Sequence, residues 1–338
     1  MYYANDDVRL EEMPVPEIGP GEILMRVEAG GICGSDVMEW YRIGRVPLVL
    51  GHEVAGVVVE ADKGAGRYKK GDRIASAHHV PCGSCRYCLS GHPTVCETLR
   101  KTNFHPGGFA EFLRLPAINV ERGVFPLPGE VSYEEATFIE PLACVLRGQR
   151  IAGVKKGDYV AVIGSGISGI LHIHLAKARG AARVVATDVV DYRMKTALKF
   201  GADEAIDAGG DVPKRIAEAN AGMPADVVLV TTGSPRAIEQ ALKSVRRGGT
   251  VLFFSPTAKD VRIPLSINDT FWRTEVTLTS SYAGSPEDHK EALALIKAKK
   301  VSVRDMITHR LGLAETGKGF KLVADAKESL KVIIEPQR

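Results

Sequence analysis

Four of the chain's six cysteines fall within fifteen residues, as Cys82-Gly-Ser-Cys85-Arg-Tyr-Cys88 followed by Cys96, a Cys-x2-Cys-x2-Cys-x7-Cys spacing. Four thiolates at these intervals can wrap one tetrahedral Zn²⁺ and leave no open position, the signature of a structural site. Two local disulfides are the competing reading. They need an oxidising compartment, and the start Met-Tyr-Tyr-Ala-Asn-Asp-Asp has neither the charged nor the apolar region of an export signal. Simple burial of thiols gives no reason for the clustering, so a zinc lobe is expected.

The chain has 338 residues, 45% hydrophobic and 25% charged, the composition of an ordinary globular protein. At roughly 150 residues per domain, two domains are expected. Net charge is +3, and the densest basic run, Arg67-Tyr-Lys-Lys-Gly-Asp-Arg73, contains glycine and aspartate and reads as a solvated turn. Nucleic acid is therefore not an expected partner. No apolar run approaches the ~18 residues of a membrane span, so no membrane partner is expected either, and the expected location is the cytoplasm.

Up to about residue 130, short apolar-alternating runs are separated by Gly, Pro and Asp. Glu22 to Ala29, Glu53 to Glu60, Asp72 to Ala77 and Gly108 to Leu115 read as strands of a barrel-like lobe, with the cysteine-rich loop as an excursion. Within it, Gly30-Gly-Ile-Cys33-Gly-Ser35-Asp36 and Leu50-Gly51-His52-Glu53 supply a thiolate, an imidazole and a carboxylate. Those ligand types hold a zinc with an open fourth position. A further acid comes at Phe138-Ile-Glu140-Pro141-Leu142. Pro141 at a first helical turn places Glu140 at the cap, where it either caps the helix or faces the same metal. Zn²⁺ with one thiolate, one imidazole and one carboxylate is neutral, so one of Glu53 and Glu140 is expected to bind at a time.

From about residue 151 strands and helices alternate. Tyr159-Val-Ala-Val-Ile163 is a continuous apolar run, suited to a strand covered on both faces. It leads into Gly164-Ser-Gly166-Ile167-Ser-Gly169 and then a helix to about Arg179. A Gly-x-Gly-x-x-Gly between such a strand and such a helix marks a dinucleotide site, with the pyrophosphate on the helix N-terminus. The next strand ends at Asp188, an acid placed to accept from ribose hydroxyls and to repel a 2′-phosphate, so NAD is favoured over NADP. Arg193 could soften that preference. Later strands end at Thr231-Thr232-Gly233 and Ser255-Pro256, in loops on the edge where a dinucleotide lies; Thr232 and Ser255 join the expected cofactor contacts. Ser285-Pro286 opens a capped helix, and Leu330 to Ile334 closes the chain as a strand packed on the first lobe.

Together these motifs resemble the zinc-dependent medium-chain alcohol dehydrogenase family over nearly the whole chain. Glu140, where ethanol-type members carry a cysteine, is similar to the sorbitol and threonine dehydrogenase branch. The resemblance implies an α/β chain with a GroES-like β-rich catalytic domain (residues 1–147 and 284–338) and a doubly wound Rossmann domain (residues 148–283) binding NAD. It implies a catalytic zinc on Cys33, His52 and Glu53 or Glu140, a structural zinc on Cys82, Cys85, Cys88 and Cys96, and a dimer or homotetramer. The implied reaction is hydride transfer from a secondary alcohol or polyol to NAD, with zinc acidifying the substrate hydroxyl and Ser35 passing its proton outward. Two positions depart from the branch. Met38 stands where a polyol dehydrogenase has its proton-relaying histidine, and Ala283 where an arginine grips polyol hydroxyls. Threonine-type β-hydroxy amino acids are the alternative substrates, and a non-catalytic, zinc-stabilised NAD(H)-binding sensor is the alternative of another class.

Overall fold

The computed structural model describes all 338 residues. They form two compact units, Met1–Ala143 with Ala283–Arg338, and Cys144–Tyr282.

The first unit is built on a seven-stranded sheet. Its strands run Ile307–Gly312, Lys331–Glu335, Ile23–Gly31, Glu53–Ala61, Arg73–Ala77 and Val124–Pro126, with Phe112–Leu115 paired onto Ile23–Gly31. Strand Ile23–Gly31 shows why the sequence folds this way. Met25, Val27 and Ala29 alternate inward and are buried, while Arg26 faces solvent. Register sets up the chemistry. Gly31 pairs with Glu53, Glu53 with Ala77, and Ile333 with Gly31, so four strands bring their ends to one place.

Two local expectations need correcting. The run Gly108 to Leu115 is a strand only over Phe112–Leu115. Its first residues instead tie the loop before His52 in place, Gly108 N–H donating to Gly51 O and Phe109 N–H to Leu50 O. The second correction concerns the helix at Glu140. It runs Ile139–Ile151, so Glu140 lies in the first turn and is not a cap. Pro141 is tolerated there because first-turn N–H groups have no intrahelical acceptor. Burial of Phe138 and Ile139 starts the helix early.

The second unit is a six-stranded parallel sheet ordered Glu204–Asp207, Arg183–Asp188, Tyr159–Ile163, Ala225–Val230, Val245–Phe253, Thr277–Ser280. All five residues of Tyr159–Ile163 are buried, as a strand covered on both faces requires. The order reverses between Tyr159–Ile163 and Ala225–Val230, the switch point at which such sheets bind ligands beyond their carboxyl ends. The edge strand Thr277–Ser280 has no clear mark in the sequence. No helix is long and apolar enough to cross a membrane.

Helix Ile167–Ala178 packs His172 wholly inside this unit, its ring edge-on to Phe254 and its carbonyl accepting from Gln149 Nε2. Burial, reinforced by the charge of Arg179, pushes the imidazole down from 6.5 to about 3. The unfolded chain therefore binds the extra proton between those two values, and the folded chain does not. The stability this neutral histidine contributes is intact above pH 6.5 and is lost as pH falls toward 3. Replacing His172 by Leu is expected to flatten the stability–pH curve, by about 3 kcal/mol near pH 4 relative to wild type. Denaturant titrations at a series of pH values check this, and parallel curves for the two proteins contradict it.

Candidate metal centres and dinucleotide site

The cysteine lobe comes from two short turns. Arg86–Leu89 begins directly after Cys85, and Glu97–Lys101 directly after Cys96. The four sulfurs converge, with Sγ–Sγ distances of 3.6 Å from Cys96 to Cys82, 3.5 Å from Cys85 to Cys88 and 4.0 Å from Cys82 to Cys88. A tetrahedron with metal–sulfur bonds of ~2.3 Å has edges of ~3.8 Å, whereas a disulfide needs ~2.05 Å. The spacing therefore fits a tetrathiolate metal, and all six cysteines of the chain are free. The acidities agree. Backbone N–H groups of Ser84 and Cys85 pull Cys82 down to about 5, while burial and the Cys85 thiol push Cys88 up to about 12. Four crowded sulfurs do not all ionise unaided, and a dication supplies the missing compensation.

Cys33, His52 and Glu53 form a second group, each offering one ligand atom within 4.8 Å of the others. Cys33 follows the end of strand Ile23–Gly31, and His52 and Glu53 open the neighbouring strand. Asp36, fully buried, places an oxygen 3.3 Å from His52 Nδ1, which leaves Nε2 as the metal-facing nitrogen. Burial alone would raise the Asp36 carboxyl. The charges of His52 and Arg42 and the Cys33 N–H outweigh it and hold the carboxyl below the usual range. Burial likewise opposes protonation of His52, yet Asp36 and the Cys33 thiol raise the imidazole well above its ordinary value. A thiolate, an imidazole and a carboxylate, with the imidazole held from behind by an acid, are the donors a zinc with one open position uses.

Glu53 has a partner that the sequence did not reveal. Lys331, from the last strand, is completely buried and pairs with the Glu53 carboxylate, its ammonium lying over the Phe138 ring. Gly31 makes room: a side chain there would collide with both members of the pair. Ser35 Oγ accepts from Arg42 Nη2 at 3.3 Å, and its N–H points at Cys33 Sγ, 3.4 Å away. Glu140 does not join this trio. It lines a narrow void with Ser76, Phe125 and His289. Of the two candidate acids, Glu53 is the one beside Cys33 and His52. Asp36, Arg42 and Lys331 are the contributors sequence reasoning missed. Only the Asp three residues after Cys33 carried a signal that could have been read.

In the second unit, Gly169 packs against the backbone of Gly164 so closely that no side chain fits, and Gly164 has φ +99°. At Gly166, the residue before helix Ile167–Ala178, a side chain would meet little but Arg193 Nη1 at 3.9 Å. That open cradle at a helix N-terminus fits a pyrophosphate. Asp188 accepts from Ser165 N–H at 2.8 Å and from Val189 and Val190 N–H at 2.8 and 3.0 Å. A carboxylate has about four lone-pair sites, so it retains capacity for ribose hydroxyls. Arg193 Nε is buried without a partner. Thr231, the neighbour of the expected Thr232, locks the glycine turn by donating to Ile163 O and Gly164 O. Thr232 Oγ1 accepts from Ser234 N–H, and Ser255 N–H donates to Val230 O.

A β-rich unit with one closed and one open zinc-ligand set, together with a doubly wound sheet carrying a glycine-rich turn, defines a zinc-dependent dehydrogenase. The comparisons agree. Residues 19–128 match the alcohol dehydrogenase GroES-like domain, and residues 168–298 match the zinc-binding dehydrogenase domain. Sorbitol dehydrogenase of Gallus gallus is 31% identical over 97% of this chain and 93% of its own length. L-threonine 3-dehydrogenase of Bacillus licheniformis is 33% identical over 96% and 94%. A zinc-binding dehydrogenase from Sinorhizobium meliloti 1021, solved bound to NADP, superposes with a TM-score of 0.88 at 29% identity, covering 99% of this chain and 97% of that one. The chain belongs to the zinc-dependent medium-chain alcohol dehydrogenase family.

Two variants probe the two metal sets. Cys88→Ser is expected to lower the melting temperature and remove one of two zinc equivalents. Metal analysis with calorimetry checks this, and an unchanged melting temperature contradicts a structural role. Lys331→Met strands the buried Glu53 charge and is expected to destabilise the metal-free protein by about 3 kcal/mol or more, with zinc recovering part of the loss. Denaturation with and without zinc measures it.

Proposed function

We propose that the chain oxidises a secondary alcohol or polyol, with Cys33, His52 and Glu53 holding the catalytic zinc and NAD taking the hydride. The convergence of those three ligand atoms, with Asp36 behind His52, is the observation that carries this reading. A zinc ion held there would acidify a hydroxyl in its open position. The chain's own residues do the rest. One thiolate and one carboxylate balance the dication, so the metal and its ligands together are neutral. Lys331 draws on the Glu53 carboxylate and limits its donation, which keeps the metal's Lewis acidity high. Asp36 fixes the His52 tautomer and is itself faced by Arg42 at 3.6 Å. Ser35 accepts from Arg42 and keeps its own hydroxyl proton to give, as a group that passes a proton outward must. Met38 can carry no proton further, so water completes that path. Glu140, which lines the void beside His289, is the second carboxylate that would exchange with Glu53 at such a metal.

The named relatives support both a polyol and a threonine-type β-hydroxy substrate, and the missing arginine at Ala283 argues for a smaller alcohol than a sugar polyol. Asp188 supports NAD over NADP, against the attraction Arg193 offers a 2′-phosphate. The resemblance further supports a structural zinc on Cys82, Cys85, Cys88 and Cys96, and a cytoplasmic dimer or tetramer. Initial rates over secondary alcohols, diols, polyols and threonine, with NAD and with NADP, on protein of measured zinc content, test the proposal. Turnover of an alcohol with NAD is expected, and Cys33→Ser is expected to reduce it by more than about 100-fold while leaving folding and NAD binding intact. Zinc-replete protein that turns over none of these substrates would overturn it.

A further inference from the structure

His78 is not used in the chemistry above, yet it sits beside the metal ligands. Strand register explains why. Glu53 pairs with Ala77, so the next pair outward is His52 with His78, and the two side chains stand on one face of the sheet. Their ring centres are 4.7 Å apart. On its other side His78 packs on His79 at 3.8 Å, with Phe104 edge-on at 6.2 Å. His79 is itself anchored, its Nδ1 lying 2.7 Å from the Thr102 carbonyl, which can only accept. His78 is therefore clamped in one orientation.

Its two nitrogens differ. Nδ1 is buried with no partner, although the residue as a whole is only half-buried, so the accessible edge of the ring carries Nε2. A neutral imidazole has one N–H. Burying an N–H without an acceptor is rarer in proteins than leaving an acceptor unfilled, which places the proton on Nε2. The ring thus presents a fixed donor next to the imidazole that holds the metal. Met38 and Ala283 offer no polar side chain for such a role.

We propose that His78 Nε2–H binds the second oxygen of a vicinal diol or polyol, the hydroxyl on the carbon next to the one being oxidised, and so selects such substrates over simple secondary alcohols. The carbons that carry the two oxygens of a vicinal diol are bonded to each other, so a second oxygen lies within a few ångströms of the first. His78, whose ring centre is 4.7 Å from that of His52, is near enough to the metal ligands to meet it. A mono-alcohol has no second oxygen to take this hydrogen bond, so only the diol gains it, which is how hydrogen-bonding pockets discriminate. The inference rests on the alcohol-dehydrogenase reading and names its substrate class.

The test compares butane-2,3-diol with butan-2-ol in zinc-loaded wild type, His78→Phe and His78→Gln. Wild type is expected to favour the diol, and His78→Phe to lower the diol-to-mono-alcohol ratio of kcat/KM by about tenfold or more, mainly through KM. His78→Gln, which restores an N–H donor, is expected to recover part of the ratio. Both substrates falling together in His78→Phe, with the ratio unchanged, would show that His78 only packs. Calorimetric titration of the diol into the zinc-loaded NADH complex of each protein supplies a readout independent of turnover. Weaker diol binding in His78→Phe supports the inference even if no alcohol is oxidised, an outcome that would sink the dehydrogenase reading alone. Equal diol binding in the two proteins, or none in wild type, overturns it.

Discussion

An acid and an ammonium shut away from water, Glu53 against Lys331, hold the first unit's metal loops where they are. Neither charge could be buried alone, because transfer of an unpaired ion to such a place costs several kcal/mol. They meet because the strand bearing Lys331, the strand ending at Gly31 and the strand beginning at Glu53 lie side by side. The pair joins the last strand of the chain to the loop carrying His52, almost 280 residues earlier, and Gly31 supplies the space between them. Cys33, His52 and Glu53 then face one point without further adjustment.

The same economy runs through the surrounding residues. Asp36 turns His52, and Arg42 steadies both Asp36 and Ser35. Asp36 and Ser35 are thereby held by neighbours before any substrate arrives, which is how a site lowers the reorganisation its chemistry would otherwise demand. The structural cysteines work differently. Their four sulfurs are brought together by the loops around two short helical turns and not by strand register.

The second unit reaches its site through backbone instead of charge. Gly164 and Gly169 bring strand and helix together, Thr231 bolts the turn, and Asp188 stands at the end of the adjacent strand. Motifs of this kind are contiguous in the chain, and they were readable there. So were the four-cysteine spacing, the change from alternating strands to strand–helix rhythm near residue 151, and the Cys33 and His52-Glu53 segments.

Sequence alone thus determined the features whose parts lie close along the chain: the four-cysteine cluster, the glycine turn, the acid after the second parallel strand and the family to which they point. It could not choose between Glu53 and Glu140, because both are acids beside suitable loops, and only packing shows which carboxylate lies next to Cys33. It placed the start of the Ile139–Ile151 helix two residues late, since a proline in a first turn looks like a beginning whether or not buried Phe138 and Ile139 extend the helix backward. Lys331 and His78 were invisible for the same physical reason. A lysine in a terminal strand and a histidine after a short one acquire meaning only when antiparallel pairing sets them against residues far away in the chain.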